Sequence, residues 1–198
     1  MIHPTSIISK EAQLDPSVEV GAYCIIRGRV KIGKGTKLEN SVTIGSEFGL
    51  VEIGDNNTIY SGAVLGGTPQ DKKYKGENTK LVIGDENHIR EYVTLNIGTV
   101  NGGGLTEIGD GNLIMAYVHF GHDCKIGDNV ILANNATLAG HVEVGDYAIV
   151  GGLSAIHQFV RIGRHAFISG GTMLGKDVPP YCMVIGSPPQ YAGINTIG

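Results

Sequence analysis

The chain has 198 residues, enough for one domain or one domain with an appendage, and a formal net charge of −4. That charge indicates no polyanionic partner, so we expect no nucleic-acid binding. The three cysteines are odd in number and far apart, which supports neither a disulfide framework nor a zinc knuckle. The sequence has no recognisable signal peptide and no apolar run of roughly 18 residues, so we expect a cytoplasmic protein without a membrane span.

Starting at the N-terminus, an aliphatic residue returns every six positions, from Ile2 to Ile44. A small or β-branched residue stands four positions after each of the first seven of these. The phase slips by three near residues 47–49 and then resumes at Ile53. Gly is about twice as frequent as usual and Trp is absent, which is typical of many tight turns around small side chains.

The repeat is longest from Ile108 to Leu174, where inward-type residues follow one another at an unbroken spacing of six. Neither a helix nor simple strand alternation has this period. Short strands joined by tight corners do, and three of them would close an 18-residue triangular coil. Coils stacked at about 4.8 Å would then share one core. A hairpin array or a propeller needs a period of about 40–50 residues, and none is present.

These observations predict an all-β fold, a parallel β-helix shaped as a triangular prism of roughly nine coils, over residues 1–178. Two polar or Gly-rich excursions interrupt the repeat at 66–82 and 96–107, and residues 179–198 are expected to form a C-terminal tail. Interrupting so regular a scaffold costs stacking, which favours a role for the excursions in closing over a site.

The 18-residue coil also predicts which distant residues become neighbours. His122, Gly140 and Gln158 are 18 residues apart and should share one column, with Asp123 and His141 in the next. Together with His119, these residues are expected to cluster on one edge of the prism. Spacing alone therefore predicts that these six residues form the candidate site.

A histidine beside a carboxylate suits a general base, and a glycine can offer an unobstructed N–H to a developing oxyanion. Together they suit acyl transfer without a protein nucleophile. We therefore predict His122 as the base, Asp123 as its support and Gly140 as the oxyanion donor. Three histidines near one edge could instead hold zinc, as in a trimeric zinc hydratase, and a non-catalytic paralogue is a further alternative.

The segment 131–144, together with HFGHDC at 119–124 and IHQF at 156–159, closely resembles the UDP-N-acetylglucosamine O-acyltransferases of lipid A biosynthesis. Further matches lie at 70–71, 73–74, 98–100, 102–106 and 177–180, so the resemblance covers nearly the whole chain. It implies a left-handed β-helix, a homotrimer with active sites between subunits, and transfer of an (R)-3-hydroxyacyl group from acyl carrier protein to the sugar 3-hydroxyl. It implies no metal and no cofactor beyond the acyl-carrier-protein thioester.

The same resemblance implies roles for individual residues. The catalytic positions match His122, Asp123 and Gly140. The remaining matches are substrate-binding positions: Gln70, Asp71 and Lys73 for the sugar nucleotide, His119, His141 and Gln158 for substrate contact, Gly170 for acyl-chain length, with room for a longer chain, and Asn195 for the nucleotide.

Three features depart from the family pattern. Asn96 and Ile97 stand where the family usually has His-Arg, and Ile197 stands where it has an acidic nucleotide contact. The family's C-terminal helical domain, which is expected to supply nucleotide-binding residues, has no counterpart in these 198 residues. The expectation is either a truncated chain or a short paralogue that keeps the acyl-transfer centre, with the acceptor sugar left open.

Overall fold

A computed structural model describes residues 1–196, so Ile197, one of the departures from the family pattern, lies outside the described residues. The chain winds as a left-handed parallel β-helix whose three sheets form the faces of a prism. Its helical content within those residues is one 3-10 turn, Val100–Gly102. No helix in this part of the chain is long and apolar enough to cross a membrane.

The strands are short, and most contain two residues between tight corners. In chain order they are β1 (Ile7–Ile8), β2 (Gln13–Leu14), β3 (Glu19–Val20), β4 (Ile25–Ile26), β5 (Arg29–Ile32), β6 (Lys37–Leu38), β7 (Thr43–Ile44), β8 (Leu50–Ile53), β9 (Thr58–Ile59), β10 (Val64–Gly67), β11 (Lys80–Ile83), β12 (His88–Ile89), β13 (Thr94–Asn96), β14 (Leu105–Ile108), β15 (Leu113–Ile114), β16 (His119–Phe120), β17 (Lys125–Ile126), β18 (Ile131–Leu132), β19 (Thr137–Leu138), β20 (Glu143–Val144), β21 (Ile149–Val150), β22 (Ala155–Ile156), β23 (Arg161–Ile162), β24 (Phe167–Ile168), β25 (Met173–Leu174), β26 (Cys182–Ile185) and β27 (Gln190–Ile194).

Every third strand belongs to the same sheet, as a three-sided coil requires. The nine-stranded sheet runs β1-β4-β7-β10-β13-β16-β19-β22-β25, and the eight-stranded sheet runs β2-β5-β8-β11-β14-β17-β20-β23. The ten-stranded sheet follows the same rule from β3 to β24 and then adds β26 and β27. Ile131 pairs with Ile149, 18 residues later, so the predicted coil length is confirmed.

The core is a single column of aliphatic side chains inside the prism. All twelve inward positions of the long run are buried: Ile108, Ile114, Phe120, Ile126, Leu132, Leu138, Val144, Val150, Ile156, Ile162, Ile168 and Leu174. Because each coil is covered only by its neighbours, the first one is poorly covered, and Ile2 is 51% exposed. The hexad positions thus point inward as the sequence predicts.

At many corners the second residue of the turn adopts the left-handed backbone conformation. On one edge these residues are Asp123, His141 and Phe159, with φ of 61°, 64° and 66°. A residue with a side chain pays about 1 kcal/mol or more for this conformation. Coil-to-coil hydrogen bonds hold it, because His141 N donates to His122 O and Phe159 N donates to Gly140 O.

The insertions into the repeat all lie on that same edge, between the nine-stranded and eight-stranded sheets. The first excursion is the loop 68–79 between β10 and β11, and the second is 97–104 between β13 and β14, both shorter than the ranges expected from the sequence. The phase slip at 45–49 lies between β7 and β8. Among residues 1–196, one edge of the prism therefore carries all three of these insertions.

The C-terminal segment continues the sheet instead of leaving it. Strand β26 pairs in parallel with β24, with Phe167 opposite Met183. Strand β27 folds back antiparallel on β26, with Cys182 opposite Ile194. Residues of the expected tail thus form the last layer of the ten-stranded sheet.

A buried asparagine ladder ties the coils that carry the excursions. Asn57 Oδ1 accepts from Asn87 N and Asn87 Nδ2, at 2.9 and 3.0 Å. Asn87 Oδ1 accepts from Asn112 N at 2.9 Å, and Asn112 Oδ1 accepts from Val130 N at 2.6 Å. The ladder runs along the edge between the eight-stranded and ten-stranded sheets, where it gives backbone N–H groups of successive coils a partner.

We expect Asn87→Ala to lower the free energy of unfolding by about 2–4 kcal/mol, because the buried Asn112 N–H and the Gly109 carbonyl lose their partners. Urea unfolding at fixed protein concentration measures this. Asn129→Gly, at an exposed corner residue with φ of 55°, is the matched control and should change the value by about 0.5 kcal/mol or less. Equal effects of the two variants would contradict the ladder's role.

Candidate active site

Five successive corners of one edge meet around a single cleft. They connect β10 to β11, β13 to β14, β16 to β17, β19 to β20 and β22 to β23. The cleft has a volume of about 830 Å³. Its lining residues are Gln70, Asp71, Lys72, Lys73, Thr99, Asn101, Gly102, His122, His141, Gln158 and Phe159.

His122, which lines the cleft, forms a hydrogen-bonded pair with Asp123 beside it. His122 Nδ1 lies 2.7 Å from Asp123 Oδ2, and the Asp123 side chain is almost wholly buried. The carboxylate therefore favours the tautomer in which Nδ1 carries the proton and Nε2 is free to accept one. The His122 side chain keeps 19% of its surface exposed, enough to meet a substrate in the cleft.

Gly140 lies one coil above His122, as the 18-residue spacing predicts. A methyl group built on Gly140 would stand 2.8 Å from His122 Cε1 and 2.9 Å from Nε2, so only glycine fits beside this ring position. No described residue accepts a hydrogen bond from the Gly140 N–H. The site therefore offers an unpaired donor next to a base.

His141 forms the wall of the cleft opposite this pair. Its ring packs edge-on against His122 with centroids 5.0 Å apart and stacks on Phe159 at 4.4 Å. His141 Nε2 lies 3.9 Å from Asp123 Oδ2. Burial lowers the pKa of His141, with the Asp123 charge opposing, so this ring is neutral at pH 7 and suits hydrogen bonding to a substrate.

The first excursion brings the predicted loop residues over the cleft. Asp71 Oδ1 accepts from Lys73 N at 2.9 Å, and Tyr74 N donates to the Asp71 carbonyl at 3.0 Å. Tyr74 packs against the core, and its hydroxyl donates to Glu77 O. This turn holds Gln70, Asp71 and Lys73 at the mouth of the cleft.

Three predicted residues lie outside the cleft of this chain. His119 is on β16, where its Nδ1 lies 2.7 Å from Thr94 Oγ1, and it does not line the cavity. Gly170 follows β24 and lies on the edge between the ten-stranded and nine-stranded sheets. Asn195 follows β27 and donates to the His165 carbonyl on the remaining edge. Since Gly170 is 30 residues from Gly140, not a multiple of 18, its separate edge could have been read from the spacing.

The zinc alternative finds a weaker ligand set than three histidines. His122, Asp123 and His141 have ligand atoms within 4.8 Å of one another, whereas His119 stands apart. Asp123 already accepts hydrogen bonds from His122 and Thr99 on the oxygens that a metal would need. The arrangement favours proton transfer over metal ligation.

Cys124 adjoins the pair but faces the interior of the prism. Its Sγ donates to Ala139 O at 3.2 Å, and burial raises the pKa of the thiol to about 12. The thiolate needed for nucleophilic attack is therefore not formed near neutral pH. A covalent acyl-cysteine step has no support in this geometry.

Asn96 and Ile97, two of the positions where the chain departs from the family pattern, are both buried beside the first excursion. Asn96 Nδ2 donates to the Thr68 carbonyl at 3.0 Å, at the foot of that loop. Ile97 is fully buried, and its N–H donates to the Gly67 carbonyl. Both residues therefore support the loop from beneath.

Sequence reasoning missed five residues that line the cleft: Lys72, Thr99, Asn101, Gly102 and Phe159. Phe159 stands 18 residues after His141, so coil spacing could have found it. Lys72 adjoins two predicted loop residues. Thr99, Asn101 and Gly102 lie in an excursion, where no repeat spacing applies.

The chain is similar to known proteins over its whole length. A family profile described as bacterial transferase hexapeptide, six repeats, matches residues 105–140. The acyl-[acyl-carrier-protein]--UDP-N-acetylglucosamine O-acyltransferase of Thermodesulfovibrio yellowstonii is 55% identical over 197 residues, covering 100% of this chain and 75% of the relative. The chain belongs to the UDP-N-acetylglucosamine O-acyltransferase family. The corresponding protein of Herminiimonas arsenicoxydans is 50% identical over 198 residues, covering 100% of this chain and 74% of the relative.

Solved structures of this acyltransferase family share the fold throughout. LpxA from Acinetobacter baumannii matches with a TM-score of 0.95 and 48% identity, over 98% of this chain and 74% of that one. The UDP-N-acetylglucosamine acyltransferase from Campylobacter jejuni matches with a TM-score of 0.94 and 43% identity, over 100% of this chain and 76% of that one. The backbone of the β-helix is thus common to the family.

We expect Gly140→Ala to push the His122 ring out of line and to lower kcat for acyl transfer by about 10- to 100-fold, with the fold retained. Steady-state kinetics measure the loss. Gly175→Ala is the matched control, since a methyl group there meets no atom within 4 Å. A Gly140→Ala enzyme as fast as the control would contradict the close fit of Gly140 against His122.

Burial lowers the pKa of His119 below its usual range. The unfolded chain, with a histidine pKa of about 6.5, then binds more protons than the folded one at mildly acid pH, so stability falls as pH drops through about 6.5. We expect His119→Gln to lessen this acid-side loss. Urea unfolding at several pH values tests it, and an unchanged pH dependence in His119→Gln would rule out this contribution.

Proposed function

We propose that this chain transfers an acyl group, an (R)-3-hydroxyacyl group, from acyl carrier protein to the 3-hydroxyl of UDP-N-acetylglucosamine or a related amino-sugar nucleotide, in lipid A biosynthesis. The observation that carries the proposal is the His122–Asp123 pair beside an unpaired Gly140 N–H in an open cleft. Membership of the acyltransferase family supports it independently.

His122 acts as the general base in this proposal. Its Nδ1–H donates to Asp123 Oδ2, so Nε2 takes the proton of the sugar 3-hydroxyl. Asp123 stabilises the imidazolium that forms, because the negative carboxylate lies within hydrogen-bonding distance of the positive ring. The near-complete burial of the Asp123 side chain strengthens this interaction, because little solvent screens it.

The hydroxyl oxygen then attacks the thioester carbonyl carbon, and the carbonyl oxygen becomes an oxyanion that accepts the Gly140 N–H. Collapse of this intermediate breaks the carbon–sulfur bond and expels the carrier thiolate. The imidazolium of His122 returns its proton to the sulfur, which restores the enzyme. No cofactor beyond the carrier-bound thioester takes part in this scheme.

The acceptor is proposed to lie between the first excursion and the opposite wall. Lys73 and Lys72 supply positive charge for the diphosphate, while Gln70 and Asp71 can hydrogen-bond the sugar. His141 and Gln158 contribute the facing polar groups from the coils above His122. In this arrangement the charged part of the acceptor lies beside the two lysines.

We further propose a cytoplasmic homotrimer with active sites between subunits. Gly170 and Asn195 lie on edges other than the catalytic one, so they reach the same substrate only from a neighbouring subunit. Leu153 and Met173 are 69% and 58% exposed, which suits coverage by a neighbour. Within that assembly Gly170, without a side chain, leaves room for a longer acyl chain, and His119 and Asn195 are proposed substrate contacts.

We expect His122→Ala to lower the transfer rate by about 10²–10⁴-fold, because the general base is lost, while the assembly keeps its mass. The assay follows acyl transfer from carrier proteins of several chain lengths to several UDP-sugars. His88→Ala, at an exposed histidine outside the cleft, is the matched control. Unchanged turnover in His122→Ala would refute this mechanism.

A further inference from the structure

The carboxylate of Asp123 is enclosed by the second excursion, and Thr99 is its main contact there. Thr99 Oγ1 donates to Asp123 Oδ2 at 2.6 Å, and Thr99 N donates to Asp123 Oδ1 at 2.8 Å. One residue therefore binds both oxygens of the carboxylate. Oδ2 is also the oxygen that faces His122 Nδ1.

Thr99 is itself held rigidly. It is the N-cap of the 3-10 turn, and its Oγ1 accepts from Gly102 N at 3.2 Å. The Thr99 carbonyl accepts from Gly102 N and Gly104 N, at 3.0 and 2.7 Å. The hydroxyl thus has its acceptor role satisfied by the turn, and its single proton is directed to Asp123.

The excursion also packs closely against the carboxylate. A methyl group on Gly102 would lie 2.1 Å from Asp123 Cγ, and one on Gly98 would lie 2.9 Å from Oδ1. Asp123 N donates to Thr106 Oγ1, so backbone and side chain are fixed from opposite sides. Asp123 is consequently 4% exposed.

We propose that Thr99 is a positioning residue of this active site, which holds the Asp123 carboxylate in the plane and rotamer that keep Oδ2 on His122 Nδ1. This inference rests on the proposed function, because it assigns the second excursion a role in the same reaction. Without the Thr99 hydroxyl, Asp123 keeps only the Thr99 N–H on Oδ1, so the carboxylate is freer to rotate about χ2, a broad torsion, and the imidazole loses its fixed tautomer and direction.

The substituted enzymes are expected to show a specific kinetic pattern. Thr99→Val should lower kcat by about 10- to 100-fold, because the base is no longer held in its orientation. KM for the sugar nucleotide should stay within about 3-fold, because the first excursion, which is proposed to bind the nucleotide, is unchanged. Thr99→Ser, which keeps the hydroxyl, should restore most of kcat. Thr99→Ala is measured as well as Thr99→Val, so that the proposal can still be tested if one of the two variants fails to fold.

The control separates positioning from loop stability. Thr79, the last residue of the first excursion, donates from Oγ1 to the Gly98 carbonyl at the foot of the second excursion, at 2.5 Å, and is not among the residues bonded to Asp123. Thr79→Val should lower the thermal midpoint but keep kcat within about 3-fold. A loss of kcat in Thr79→Val equal to that in Thr99→Val would overturn the proposal.

Imidazole nitrogen NMR of His122 gives a readout that needs no turnover. We expect a single Nδ1-protonated form in the unsubstituted protein and in Thr99→Ser, and a mixture of tautomers in Thr99→Val. Retention of that single form together with unchanged kcat in Thr99→Val would overturn the positioning role. If the unsubstituted chain transfers no acyl group, the proposed function fails, while the NMR result still decides whether Thr99 orients the pair.

Discussion

The structure depends on one constraint, the register of an 18-residue coil stacked by parallel pairing. Each coil repeats the corner positions of the one before it, so residues far apart in sequence become neighbours in a column. Gly140 lies against His122, and His141 lies near Asp123, for this reason. The buried aliphatic column holds the register, since a shift by one residue would expose it.

Confining all insertions to one edge keeps the other two edges regular and gives the remaining edge its chemistry. The loop 68–79 supplies charged groups at the mouth of the cleft, and 97–104 encloses the Asp123 carboxylate. The two excursions therefore have different roles in the proposed reaction. One contacts the acceptor, and the other fixes the support of the base.

The site is built around one carboxylate, Asp123, that accepts hydrogen bonds from more than one residue. Asp123 accepts from His122 Nδ1 and from Thr99, and Nε2 of His122 remains available to accept a proton. Cys124, the adjacent thiol, is excluded from this chemistry because burial keeps it protonated. Neutral His141 and Phe159 complete the wall without adding a competing charge.

The sequence by itself determined the β-helix, the coil length and the neighbours of His122, because between Ile108 and Leu174 the spacing of six is unbroken and burial of one face allows one register. Only the tertiary structure decided how the excursions fold. Thr99 reaches Asp123 across 24 residues of sequence, a separation that is no multiple of the coil. Such contacts arise from loop hydrogen bonds that carry no periodic signal.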